Sequence, residues 1–267
     1  MEKKSKELET AIKAALQAGK VLEKYFETAI LKNEKEDKSI VTLADKESEE
    51  VIKKIIFDVF PDHSILGEET GMNGREGEYI WHVDPIDGTR NFANAIPLFA
   101  VSIALVFKDE IILGIVYNPS TRSMFYAEKG KGAYFNDKKI FVSKDEANHG
   151  MLTVSRGKAN TDEKLFRELL YSLPKKVVSS VRDLGCAALD LVYVARGGLE
   201  ANIQLGLNTY DFAAGVFIIQ EAGGKVTNLN GTSWEFPENH FIASNGVFHD
   251  LLVEEVQKQI KKLTPSA

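Results

Sequence analysis

Three apolar runs between residues 99 and 135, FAVSIALVF, IILGIVY and SMFYAEKGKGAYF, are separated by short segments bearing Asp, Asn and Gly. Apolar alternation with that punctuation predicts an antiparallel sheet. The first run is nine residues long, about half of a membrane-crossing helix. The GKG at 130–132 lacks the rest of a nucleotide-binding loop and reads as a hairpin turn.

Around this meander the chain alternates helix and strand patterns. Leu8, Ile12, Ala15, Leu16, Gly19, Leu22 and Phe26 fall on one face of a helix over 5–28. The polar stretch LKNEKEDKS (31–39) predicts a mobile loop. A second helix is expected from Thr42, with Val51, Ile52, Ile55, Ile56 and Val59 inward and Pro61 as its stop. SILGEE (64–69) and YIWHVD (79–84) read as short strands ending in acids. Further on, strands are expected at 151–155, 177–182, 199–205, 225–229 and 241–244. Helices are expected at 161–172, 186–196, 211–222 and 247–262, the third ending at Gly223-Gly224. No Pro/Ser-rich linker, repeat or low-complexity tract divides the chain. The expectation is one unit over 1–267 with two packed lobes, an antiparallel sheet with helices over 1–145 and an α/β lobe over 146–267.

Charge and composition exclude several classes. The net charge is −6, and no basic tract interleaves with aromatics, so a nucleic-acid footprint is absent. The opening MEKKSKELET has no apolar leader core, so neither secretion nor a membrane partner is expected. A single cysteine, Cys186, allows no intrachain disulfide and fits a reducing cytoplasm.

The chemistry concentrates in VDPIDGTRNF, residues 83–92. If YIWHV is a strand, Asp84 lies at its end and Pro85 forces a turn, so Asp84 and Asp87 converge with the Ile86 carbonyl between them. Two carboxylates that close need a proton or cation between them. Oxygen ligands of this kind suit Mg²⁺. Gly88 and Thr89 then open a helix N-terminus, whose N–H groups favour phosphate. The plain structural reading is a turn cap at Asp84 and a helix cap at Asp87. Glu68 and Glu69 could likewise be solvated loop charge, and Asp211, in YDFAAG, an N-cap residue. Four acidic sites, all at element ends, are harder to explain as four separate caps.

GEE (67–69), DPIDGTRNF (84–92) and YDFAAGVFIIQEAGG (210–224), in that order, resemble the inositol monophosphatase family. That family lies within a lithium-sensitive, Mg²⁺-dependent phosphatase superfamily that includes fructose-1,6-bisphosphatases. The family usually has Trp where Tyr210 stands. The resemblance covers nearly the whole chain. It implies an α+β or α/β architecture, a layered αβαβα sandwich of the sugar-phosphatase type, and a homodimer. It also implies two or three Mg²⁺ ions. Glu68, Asp84 and the Ile86 carbonyl would hold the first, and Asp84, Asp87 and Asp211 the second. Glu68 and Thr89 would orient the attacking water, and Asp45 would hydrogen-bond Thr89. Asp87, Gly88 and Thr89, the backbone of Gly185, Cys186 and Ala187, and Gln204 would meet the substrate. Lys35, Glu36 or Asp37 would help with a third ion.

Inositol monophosphatases of the animal type carry Glu where Gln204 stands. A neutral amide still bonds hydroxyls but with fewer acceptors, which leaves room for a doubly phosphorylated sugar. Arg156, Lys158 or Arg182 would then contact the second phosphate. The expected activity is therefore hydrolysis of inositol-1-phosphate, with fructose 1,6-bisphosphate as a second substrate.

Other readings remain. KEDKSIVTLAD (35–45) resembles a pattern of histidinol phosphatases and of 3′-phosphoadenosine-nucleotide phosphatases. A non-catalytic binding protein on the same fold is a different class, but it could lose these acids freely, so their retention argues against it; a structural Ca²⁺ site would bind without turnover and tolerate ions larger than Mg²⁺. Thr42 with Asp45 fits a capping box. Cys186 has no histidine nearby to activate it and reads as core or the first turn of a helix. The five histidines lack zinc-ligand spacing.

Overall fold

The computed structural model describes residues 3–29, 34–74, 77–146, 150–157, 162–175 and 177–263, apart from the side chains of 27–29, 34–42 and 175. Helices α1 (Lys6–Ala29) and α2 (Glu34–Val59) pack on each other. Leu8, Ala11, Ala15, Ala18 and Leu22 form the buried stripe of α1, while Leu16, expected inward, is 40% exposed. The second helix starts earlier than expected. Residues 34–40 carry Glu and Lys with no Gly or Pro, so the polar run extends the helix instead of forming a loop. Residues 31–33 lie outside the described residues, as do the side chains of Lys35, Glu36 and Asp37. Thr42 is therefore inside α2, well past the first turn where orphan N–H groups await a cap; its side chain lies outside the described residues.

One sheet has eight strands: β1 (Ser64–Gly67), β2 (Gly71–Gly74), β3 (Tyr79–Asp87), β4 (Ala100–Phe107), β5 (Glu110–Asn118), β6 (Ser123–Glu128), β7 (Gly132–Phe135) and β8 (Lys138–Ile140). Their order is β2-β1-β3-β4-β5-β6-β7-β8. The meander from β4 to β7 is antiparallel as expected, β3 and β8 extend it antiparallel on either side, and β1 runs parallel to β3. A second sheet, order β10-β9-β11-β13-β12, contains β9 (Met151–Arg156), β10 (Ser180–Arg182), β11 (Ala201–Leu205), β12 (Lys225–Asn228) and β13 (His240–Ser244). The remaining helices are α3 (Thr89–Ala93), α4 (Glu163–Ser172), α5 (Ala187–Ala195), α6 (Thr209–Glu221) and α7 (His249–Leu263).

Side-chain alternation on β4 shows how the layers form. Val101, Ile103 and Leu105 pack towards α1 and α2, with Leu22, Ile52 and Ile56. Ala100, Ala104 and Val106 pack the other way, against Leu191 of α5 and Phe212 and Val216 of α6. A strand covered on both faces is apolar throughout, which is why FAVSIALVF lacks polar alternation. Phe241 and Ala243 of β13 close the far side of the α5–α6 layer. The opposite face of the second sheet carries Leu152, Val154, Ile203 and Ile242 against α4 and α7. The layers are thus helix, sheet, helix, sheet, helix, the αβαβα sandwich expected. Among the described residues no helix is long and apolar enough to cross a membrane.

Candidate active site

The parallel pairing of β1 with β3 brings Glu68 beside Asp84. Gly67 pairs with Val83, and Glu68 N–H continues the ladder by donating to Val83 O at 3.1 Å. The residues that follow the Gly67–Val83 pair are thus the two acids, Glu68 just past the end of β1 and Asp84 within β3.

Pro85 acts differently from expectation. The strand does not end at Asp84; β3 runs on to Asp87 through a bulge, with Asp84 opposite Ser102 and Asp87 opposite Ala100. Proline cannot donate a ladder hydrogen bond, and the extra residue absorbs the mismatch. Asp84 Oδ1 accepts from Ile86 N–H at 2.9 Å, which fixes the acid over the bulge.

Asp211 arrives on the first turn of α6. Asn208 is the N-cap and Asp211 the third helical residue, and Asp211 Oδ2 accepts from Asn208 N–H at 2.8 Å. Asp211 is therefore the acidic half of a capping box, not the N-cap itself. Two bonds tie this turn to the first sheet: His82 Nδ1 with Thr209 Oγ1 at 2.8 Å, and Ser102 Oγ donating to Tyr210 O at 2.9 Å.

Carboxylate oxygens of Glu68, Asp84 and Asp211 all lie within 4.8 Å of one another. Asp84 and Asp211 are buried and Glu68 is half-buried. Burial pushes the Asp84 carboxyl well above the usual range, reinforced by Glu68, Asp87 and Asp211. Burial raises Asp211 to about 7, with Asp87 adding to it. Asp87 lies against the start of α5, where its Oδ2 accepts from Ala188 N–H at 2.6 Å and from the Cys186 thiol at 3.1 Å. Burial pushes Asp87 up to about 6, while those two donors oppose the rise. Each acid thus disfavours charge on its neighbours, and a divalent cation relieves that cost. A donor set of carboxylate oxygens without sulfur or imidazole suits a hard ion.

The other expected residues are distributed around this cluster. Thr89 Oγ donates to Ile86 O at 3.0 Å; no bond joins it to Asp45. Asp45 is buried, its Oδ1 has no partner, and burial with Glu69, Glu68 and Glu49 nearby pushes its carboxyl to about 8. Gly88 is the N-cap of α3, and Cys186 that of α5. Asn91 joins the two segments by donating to Leu98 O and Leu184 O, each at 2.7 Å. The amide that holds Asp87 belongs to Ala188, the residue after Gly185, Cys186 and Ala187, whose backbone is expected to meet the substrate. Gln204 is wholly buried on β11, and neither amide atom has a partner. Arg156 and Arg182 are exposed on the second sheet, Arg156 over the Phe166 ring; Lys158 lies outside the described residues. Sequence reasoning missed Glu49, fully buried on α2, whose carboxylate accepts from Glu69 N–H at 2.9 Å. Its signal was its place one helical turn after Asp45 on the face that also buries Ile52 and Ile56.

Known proteins share this arrangement of sequence and fold. The inositol monophosphatase family model matches residues 3–261. A fructose-1,6-bisphosphatase/inositol-1-monophosphatase of Aquifex aeolicus is 37% identical over 269 residues, covering 98% of this chain and 99% of the relative. A Nus factor SuhB of Pseudomonas aeruginosa is 33% identical over 263 residues, covering 95% and 96%. The solved inositol monophosphatase of Anabaena (Nostoc) superimposes with a TM-score of 0.83 at 36% identity, covering 94% of this chain and 95% of that one. The chain belongs to the inositol monophosphatase family and is a phosphoric monoester hydrolase.

Proposed function

We propose that this protein is a Mg²⁺-dependent, lithium-sensitive phosphatase of inositol-1-phosphate that also accepts fructose 1,6-bisphosphate. The observation that carries the proposal is the approach of Glu68, Asp84 and Asp211 carboxylate oxygens to within 4.8 Å. The double name of the A. aeolicus relative and the neutral Gln204 support the second substrate. The family resemblance further supports a homodimer working in the cytoplasm as one catalytic unit of two lobes.

In this reading Glu68, Asp84 and the Ile86 carbonyl would hold one ion, and Asp84, Asp87 and Asp211 would hold another. Divalent ions bound there lower the pKa of water and neutralise charge on phosphoryl oxygens. Glu68 and Thr89 orient the attacking water; Thr89 already lies beside the Ile86 carbonyl, at 3.0 Å. Asp45, whose Oδ1 is unpartnered, would accept from the Thr89 hydroxyl in place of Ile86 O. Gly88 and Thr89 present backbone N–H groups to the phosphate. The α5 N-terminus holds Asp87 through Ala188 and Cys186, so that acid enters the site pre-oriented. Gln204 keeps an unspent donor and acceptor for a substrate hydroxyl.

Phosphate release from inositol-1-phosphate should require Mg²⁺, fall with added Li⁺, and vanish in Asp87→Asn. A kcat/KM panel should also include fructose 1,6-bisphosphate, histidinol phosphate and 3′-phosphoadenosine 5′-phosphate. Faster turnover of either of the last two would overturn the substrate assignment. Full activity of Asp87→Asn would overturn the catalytic one.

A further inference from the structure

The turn that bears Glu68 is exposed at Glu69 and Thr70, so water could serve its backbone. A buried acid serves it instead. Glu49 has no exposed surface, and burying a carboxylate is costly unless its oxygens find donors. Both oxygens do: Oε2 accepts from Glu69 N–H at 2.9 Å, and Oε1 accepts from the Thr70 hydroxyl. On the other side, Glu68 N–H is fixed to Val83 O at 3.1 Å. The peptide groups before and after Glu68 are therefore anchored to different elements, β3 and α2. Gly67 shows how closely the parts fit. A Cβ there would lie 2.5 Å from the Glu49 carboxyl, so a side chain at this position would displace that carboxyl from the turn.

We infer that Glu49 is a positioning residue: through Glu69 N–H and Thr70 it fixes the 67–70 turn and so aims Glu68 at Asp84 and Asp211. The inference rests on the metal-site reading above. Glu49 itself touches neither substrate nor ion. It acts through the backbone of the residue that does, as groups behind metal ligands commonly do.

Titration calorimetry with Mg²⁺ on the full chain tests it. Glu49→Ala should weaken binding about 10- to 100-fold and raise the Mg²⁺ concentration for half-maximal turnover by a similar factor. KM for inositol-1-phosphate at saturating Mg²⁺ should stay unchanged. Glu49→Gln, which keeps one acceptor for Glu69 N–H, should recover most of the affinity. Folded Glu49→Ala with wild-type Mg²⁺ affinity overturns the inference, provided that Asp84→Asn loses binding in the same assay. Should Asp84→Asn bind as wild type, the metal-site reading falls and this inference with it. If Glu49→Ala fails to fold, Thr70→Val decides: weakened binding supports the anchor, and wild-type binding overturns it.

Discussion

Asp84 and Asp211 each combine a local task with a shared one. Asp84 holds Ile86 N–H over a bulge, and Asp211 completes a capping box, yet both also belong to one acidic cluster. Turn-capping and metal-binding are therefore compatible readings of the same acid. A different residue tests the pH behaviour away from the cluster. His249 is buried, with Nε2 2.8 Å from Thr227 Oγ1 and Nδ1 2.7 Å from Ser244 Oγ. Thr227 donates its hydroxyl to Asn228 O, so its oxygen accepts from Nε2–H, and Ser244 donates to Nδ1. Both bonds suit a neutral ring. Burial lowers the His249 pKa to about 4; Lys225 lowers it further and Asp250 opposes. The unfolded chain binds the proton more tightly, so this group's contribution is present above pH of about 6.5 and is lost as pH falls towards 4. Between pH 7 and 4.5, wild type should lose on the order of 2 kcal/mol more stability than His249→Gln in urea denaturation. Parallel pH profiles for the two proteins would contradict this.

Elements were legible where burial imposes a long pattern. The meander from β4 to β7, helices α1, α5 and α6, and the final helix follow from apolar periodicity alone. Short edge strands were not: β2 is GMNG and β8 is KKI, too short and polar to carry a period. The early start of α2 escaped because a polar run of good helix formers looks like a solvated loop. Pro85 predicts a turn because proline usually ends a strand, but pairing with β4 resumes at Asp87 opposite Ala100. Element packing also sets the position of Asp211. Gly114 of β5 lies against α6, and a Cβ there would come within 2.7 Å of Ala214 O. Gly114→Ala should therefore push α6 outward and cost about 1–3 kcal/mol in denaturant unfolding, with weaker Mg²⁺ binding. Unchanged stability and binding would show that α6 is not held by this contact.

For the whole molecule, the site was legible because DPIDGT and its partners are local words whose spacing survives in the chain. What brings them together was not legible. The parallel β1–β3 register, the His82 and Ser102 ties to α6, and the Glu49 anchor are tertiary contacts that leave no period in the sequence. The burial of Gln204 on β11 was likewise not legible, because it follows from packing and not from any period in the sequence. The central claim is that acids from β3, α6 and the turn after β1 share a divalent cation. Anomalous diffraction from crystals soaked in Mn²⁺ tests it directly. The account predicts a strong peak bounded by Glu68, Asp84 and Asp211; peaks confined to other parts of the surface, or none at saturating Mn²⁺, would contradict it.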